Sequence, residues 1–432
     1  HPNVIDKSVR FIAEQDSLNA SVLGPDAGPE TPEFELFIKE VVNEMTVKAG
    51  QKCTAIRRAF VPKPLLQAAQ EALCARLAKI KVGNPDAEGV RMGALVSTTQ
   101  RDDVRSKIQE LSKDAEIIFG NPDTVELTQA NAIDGAFMSP VLLRCDEPWH
   151  AENVHCVEAF GPVSTLMPYD DLEDAFKLCN QGLGSLVMSL FTHDPKVARQ
   201  CALSAGSFHG RIAMINRDNA KESTGHGSPL PMLVHGGPGR AGGGEEMGGV
   251  RGIKHYMQRT AIQGSPDLMT GVTQSWVKGS EEITSEVHPF RYDFHTIEIG
   301  KTLHTQSRKI GLADIEHFAE FTGDNFYAHM DETAAEANPF FPGRVAHGYL
   351  LLSFAAGLFV DPAPGPVLAN YGLDNLRFLT PVAPDDTIKV RLTAKSKKKR
   401  NDEYGEVRWD VEITNQMDEL VATYDLLTMN AL

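Results

Sequence analysis

Cys53, in Lys48-Ala49-Gly50-Gln51-Lys52-Cys53-Thr54-Ala55, is a residue type that does covalent chemistry when ionised. A thiolate attacks electrophilic carbon, and it needs cations or backbone N–H groups nearby and a path to substrate. Asp324 and His329, in Gly323-Asp324-Asn325-Phe326-Tyr327-Ala328-His329-Met330-Asp331, are a carboxylate and an imidazole that can hold one water between them. Such a pair takes a proton from the water and returns one to carbon, which adds water across a double bond. The two sets lie far apart in sequence, and their chemistries differ. Two catalytic domains follow.

The elements that must position these groups are legible from periodicity. Between Glu33 and Gly50, Phe34, Phe37, Ile38, Val41, Val42 and Met45 recur at helical spacing, and Gly50 stops the helix just before Cys53. Further helices are expected over 64–80, 171–180 and 196–205, with short strands over 185–191 and 211–216, an α/β alternation. Cys74 falls inside one of these helices and reads as core. Residues 225–249 are dense in glycine without the pattern of a phosphate or dinucleotide loop, and read as an irregular loop closing the first domain. The rhythm changes over 265–285. We therefore divide the chain into residues 1–265, a connection over 266–285, and a second domain over 286–432.

In that second domain Leu312 to Thr322 reads as a helix capped by Gly323. Asp324 and His329 are five residues apart, about 140° around a helix, so they meet only if the chain turns back after Gly323. His347 to Val360 is apolar almost all round and is expected to be a helix buried on every side. Alternation at Ile388-Val390-Leu392 and Val407-Trp409-Val411-Ile413, then less regularly from Leu420 to Leu427, gives antiparallel strands. A central helix with a sheet curled around it is an α+β unit. The basic run Lys395 to Arg400 reads as a solvated connection between strands, and Asp331 and His347 as structural.

The chain has 432 residues and a formal net charge of -16, which argues against nucleic acid or an anionic membrane as partner. All six cysteines lie in the first half without zinc or disulfide spacing, so a reduced, cytoplasmic setting is expected. No run of about 18 apolar residues and no signal peptide is seen. Asn19-Ala20-Ser21 fits a glycosylation sequon, which carries no weight in that setting.

Gly50-Gln51-Lys52-Cys53-Thr54-Ala55, followed by Glu158-Ala159-Phe160-Gly161-Pro162-Val163, resembles the catalytic part of the aldehyde dehydrogenase superfamily. The resemblance implies that Cys53 attacks an aldehyde, that Glu158 and Phe160 contact the nicotinamide ribose and ring of NADP, and that Glu14 is the general base, although the usual Glu-Leu-Gly-Gly context is absent around Glu14. It also implies that the family's cofactor domain and oxyanion-hole asparagine lie upstream of residue 1. Residues 1–265 alone are expected to bind NADP and oxidise aldehydes poorly.

Gly323-Asp324-x4-His329-x-Asp331, followed by Arg344-Val345-Ala346-His347-Gly348-Tyr349, resembles the MaoC-like, or (R)-specific enoyl-CoA hydratase, family with its hot dog fold. The resemblance implies Asp324 and His329 as the dyad, the Gly348 backbone N–H as the group that polarises a CoA thioester carbonyl, and no metal. Where the family often has Asn-Pro, this chain has Phe326-Tyr327, and Ser353 is either a lining residue of the thioester pocket or a serine that a buried helix tolerates without function. Dehydrogenase first and hydratase second resembles the fused enzymes of aerobic phenylacetate degradation, which implies domain-exchanged dimers and higher assembly. Three readings stay open: ring-opening hydration coupled to aldehyde oxidation, hydration of linear enoyl-CoA fused to a dehydrogenase for another aldehyde, and a hydratase whose first half is only a scaffold.

Overall fold

The computed structural model describes residues 1–7, 11–133, 135–230, 233–242, 245–246 and 249–432, and the chain divides into two units, His1–Gln258 and Arg259–Leu432.

The first unit is built on a seven-stranded sheet. Across it the strands run His209–Ile215, Ser185–Phe191, Ala20–Leu23, Arg58–Pro62, Val163–Tyr169, Val141–Arg144 and Glu116–Phe119, all parallel except the last pair. Four central strands, Ser185–Phe191, Ala20–Leu23, Arg58–Pro62 and Val163–Tyr169, are buried at every residue, as a sheet covered on both faces requires. Helix Pro32–Thr46 starts on a Thr31 cap and lays Phe34, Phe37, Ile38, Val41, Val42 and Met45 on one side of the sheet, beside helix Leu66–Leu77. Helices Leu172–Asn180 and Pro195–Ala205 add Phe176, Leu178 and Val197 to the other principal core. Part of the glycine-rich segment, 231–232, 243–244 and 247–248, lies outside the described residues.

The second unit is a six-stranded antiparallel sheet. Thr302–His304, Thr387–Lys399, Tyr404–Asn415, Leu420–Ala431 and Val367–Phe378 follow one another across it, and Arg308–Lys309 pairs further along Thr387–Lys399. Leu350, Leu351, Ala355 and Phe359 of helix Gly348–Phe359 join Val390, Leu392, Trp409, Val411 and Ile413 in one core.

Three details depart from the sequence reading. Helix Gly348–Phe359 is not buried all round: Tyr349, Ser353 and Gly357, spaced i, i+4 and i+8, are exposed, because a single chain covers one face of the helix only. The basic run is not a connection, since Lys395 to Lys399 end a strand. There Lys395 binds Asp425, and Lys397 donates to the carbonyls of Phe294 and Ile297. Residues 266–285 include helix Pro266–Thr273 and the buried Trp276, whose backbone N–H donates to the Lys395 carbonyl at 2.7 Å, so this stretch is packed into the second unit. Among the described residues no helix is long and apolar enough to cross a membrane.

Candidate active sites

Past helix Pro32–Thr46 the chain makes an unusual turn. Lys48, Ala49 and Gly50 have φ of 54°, 52° and 68°, a left-handed run that is strained for the two non-glycine residues. A Cβ on Gly50 would lie 2.1 Å from the Gly161 carbonyl oxygen, so only glycine lets these backbones meet. The turn delivers Cys53 to an exposed position ahead of strand Arg58–Pro62.

Two buried side chains shape that loop from behind. Asn19 donates from Nδ2 to the carbonyls of Cys53 and Ala55 at 2.8 and 2.9 Å, while its Oδ1 accepts from Ser17 Oγ and from the Val187 N–H. Buried at 0 % exposure, Asn19 is a structural amide and is closed to glycosylation in the folded chain. Arg57 donates to the carbonyls of Gly50, Lys52 and Gly161, and its Nε lies 3.3 Å from Glu158 Oε1. Its guanidinium also sits 5.4 Å from the centre of the Phe160 ring.

Burial pulls the Arg57 pKa below its ordinary value, and the charges of Glu158, Glu44 and a Cys53 thiolate push it back. Arg57 is therefore the buried cation of this site. Lys52, one of the two lysines nearest Cys53 in sequence, is instead bound to the buried Glu44 at 2.5 Å. Burial pushes the Glu158 carboxyl up, against the opposing pull of Arg57 and of the Ser17 N–H at 3.2 Å.

Glu158 and Phe160 are thus tied to the Cys53 loop through one guanidinium. Glu14 is exposed, lies against the backbone at Gly242, and stands on the segment that Arg240 fixes through its ion pair with Asp16. A carboxylate and a half-exposed aromatic ring two residues apart suit the diol and ring of a nicotinamide nucleoside, so Glu158 and Phe160 fit that end of a dinucleotide.

The second site begins where helix Leu312–Thr322 ends. Gly323, at φ 82°, returns its N–H to the Ala319 carbonyl and turns the chain. Residues 327–330 then form one short helical turn that carries His329 back beside Asp324. His329 Nδ1 lies 2.7 Å from the Val345 carbonyl oxygen. Because a carbonyl only accepts, Nδ1 carries the proton and Nε2 is left as the basic lone pair.

Asp324, His329 and His347 bring donor atoms within 4.8 Å of one another. A divalent ion finds suitable atom types here, but the two imidazole rings are stacked at 3.7 Å and 29°, which aims their in-plane lone pairs side by side rather than at one point. A carboxylate beside an imidazole can instead move a proton. Burial, reinforced by His347, holds the His329 pKa below its usual 6.5, against the Val345 carbonyl and Asp324, so the ring is neutral near pH 7.

A cavity of about 480 Å³ opens on this cluster, lined by Asp324, His329 and Gly348 together with the apolar Phe341, Leu351 and Phe378. Gly348 begins helix Gly348–Phe359, where the first N–H groups have no partner within the helix and the positive end of the helix dipole points outward. A Cβ at Gly348 would come within 2.5 Å of the Phe378 ring, so glycine lets that N–H border the cavity. Phe326 joins the wall with its ring 6.0 Å from His329, whereas Ser353 is exposed and spends its hydroxyl on the Tyr349 carbonyl. Asp331 caps the next helix through the Ala334 N–H.

Residues 6–262 match the aldehyde dehydrogenase family. The chain belongs to the aldehyde dehydrogenase family. Behind this dehydrogenase part, residues 294–417 match the MaoC like domain, so the two are fused. "Protein MaoC" of Klebsiella aerogenes is 52 % identical over 307 residues, 71 % of this chain and 90 % of that protein. The 3,4-dehydroadipyl-CoA semialdehyde dehydrogenase of Aromatoleum evansii is 44 % identical over 238 residues, 55 % of this chain. The match takes in 46 % of that dehydrogenase, so the chain spans about half its length. The betaine aldehyde dehydrogenase of Staphylococcus aureus, solved with NAD+, shares the fold over 59 % of this chain and 48 % of its own, at a TM-score of 0.50 and 24 % identity. The dehydrogenase part is thus of the α/β aldehyde dehydrogenase catalytic type, and the second unit is a hot dog domain.

Two residues that matter to these sites lie outside the motifs, and a third stands inside one but reads as structural. Asn19 is visible in sequence only as half of a sequon, Arg57 only as one of two adjacent arginines entering a strand, and His347 as an ordinary residue at a helix start. Each of them holds backbone carbonyls, so no pattern of residue types marks it.

Proposed function

We propose that the chain opens the ring of oxepin-CoA by adding water and passes the resulting CoA-linked semialdehyde to a thiol site for NADP-dependent oxidation. The observation that carries the hydration half is the cavity shared by Asp324, the neutral His329 and the N-terminal end of helix Gly348–Phe359. His329 Nε2 and the Asp324 carboxylate take a proton from one water and deliver one to carbon, while the Gly348 N–H faces the thioester carbonyl. Water added to the enol-ether carbon gives a hemiacetal, and its ring C–O bond breaks to leave an aldehyde.

Such an aldehyde is reactive, and a thiol on the same assembly shortens its free life. Cys53 adds to it to give a hemithioacetal, the loop being held by Arg57 and Asn19. Glu158 and Phe160 would hold the nicotinamide end of NADP, whose contribution when bound is to accept hydride. The name of the Aromatoleum evansii relative, a CoA-linked semialdehyde dehydrogenase, supports this class of substrate.

We place the protein in the cytoplasm and assemble it as homo-oligomers with domain-exchanged dimers. Support for self-association comes from the edge strand Val367–Phe378, which leaves Leu368, Leu373 and Phe378 roughly half exposed.

Comparing turnover of a cyclic enol-ether CoA with that of crotonyl-CoA tests the reading. Faster loss of the cyclic substrate, with aldehyde released, is expected. Hydration of crotonyl-CoA with none of the cyclic thioester would overturn it in favour of a linear enoyl-CoA hydratase.

A further inference from the structure

His347 touches both members of the hydratase dyad, and nothing in the water-addition chemistry itself calls for it. Its side chain is 1 % exposed at the start of helix Gly348–Phe359. Nε2 lies 2.9 Å from the backbone carbonyl oxygen of Asp324, which fixes the proton on Nε2. The flat of the ring lies 3.7 Å from His329, and Phe318 packs near its remaining side at 5.0 Å. Nδ1 is buried and has no hydrogen-bond partner.

We infer that His347 is a positioning residue for water addition: it pins the backbone of Asp324 with one edge and the plane of His329 with its face, so that carboxylate and imidazole meet one water in a single geometry. This rests on the proposed hydratase reading of the site.

The two stacked rings carry their protons on opposite nitrogens, Nδ1 in His329 and Nε2 in His347, each set by a carbonyl. That arrangement leaves His329 Nε2 as the base of the pair. A proton on one ring disfavours a proton on the other at this separation. Asp324 opposes this repulsion across the cluster, and the aromatic Phe318 and Phe326 beside the two rings add no charge. Because Asp324 leaves directly from the end of a helix through Gly323, its backbone is held by few other bonds, one being its N–H to Thr322 Oγ1 at 3.3 Å. The imidazole edge of His347 supplies a firm one.

The experiment uses two variants of the full chain. H347Q keeps an N–H donor and loses the stack; H347F keeps a stacked ring and loses the donor. Each is expected to lower kcat for hydration about 10- to 100-fold, the scale of a misplaced reacting group, with KM within about twofold of the parent chain. A folded H347Q with unchanged kcat, or with a loss confined to KM, overturns the inference, and H347Q decides it alone if H347F does not fold.

Imidazole 15N spectra read the same claim without turnover, with the His329 signals assigned by their loss in H329Q. A single Nδ1-protonated form of His329 is expected in the parent chain, and a mixture of tautomers in H347Q. If the parent chain hydrates no thioester, the functional reading fails while this arm still decides the role of His347: identical His329 spectra in parent and H347Q overturn it.

Discussion

Arg57 Nε and Glu158 Oε1 lie 3.3 Å apart with both side chains nearly buried, and the same guanidinium donates to the carbonyls of Gly50 and Lys52 that flank the Cys53 turn. One cation therefore locks the nucleophile loop to the segment expected to meet the nicotinamide. Replacing it with lysine keeps a charge but loses the planar fork, and replacing it with methionine loses both. R57M is expected to slow iodoacetamide labelling of Cys53 at pH 7 about tenfold, the factor for ~1.4 kcal/mol of lost electrostatic support, with R57K in between. Peptide mass spectrometry separates Cys53 from the other exposed cysteine, Cys156. Unchanged labelling in R57M would show that Arg57 does not support the thiolate.

His329 must be neutral to act as base. Burial and His347 depress its pKa from 6.5, so the basic form is the one present at and above neutrality, and it is lost only as pH falls through a value under 6.5. The acid limb of kcat/KM for hydration is expected below pH 6.5. A limb above pH 7 would place a different group in this role.

Glu33 sits in the first turn of helix Pro32–Thr46 and binds Arg217 through two hydrogen bonds to its side chain. Chiefly through that pairing its carboxyl is held at about 2, below the ordinary 4.5. A lowered carboxyl contributes stability that is present above about 4.5 and lost as pH falls towards 2. E33Q is expected to lower the melting temperature of the first unit by about 2 to 4 °C at pH 7, discounted for the partial exposure of Arg217, and the gap should close on acidification. A difference independent of pH would assign the loss to packing instead.

Gly348 borders the cavity because it lacks a side chain. In G348A the new methyl meets the Phe378 ring, within 2.5 Å before any relaxation. Moving either the ring or the helix start narrows the cavity and tilts the N–H. Hydration kcat/KM is expected to fall at least tenfold while the chain melts within a few degrees of the parent. Full activity in G348A would remove this N–H from the reaction.

Much of this arrangement could be read from the chain alone. Helices Leu312–Thr322 and Gly348–Phe359 end within a residue of where periodicity and the Gly323 cap put them, because apolar spacing and a left-handed glycine are local signals. Motifs single out Glu158, Phe160, Asp324, His329 and Gly348 as candidates. Asn19 and Arg57 lie outside the motifs and His347 stands inside one but reads as structural, since each acts through bonds to backbone carbonyls, and a carbonyl leaves no trace in residue identity. The exposed stripe of Tyr349, Ser353 and Gly357 was missed for a related reason: an apolar composition tells that a face wants cover, and only the fold tells whether this chain supplies it.

The most direct measurement is the rate at which the full chain consumes oxepin-CoA with Asp324→Asn or His329→Ala beside the parent. If carboxylate and imidazole together activate the water, each change should lower kcat about 10²- to 10⁴-fold while labelling of Cys53 stays as in the parent. Ring opening at the parent rate in either variant would contradict the assignment.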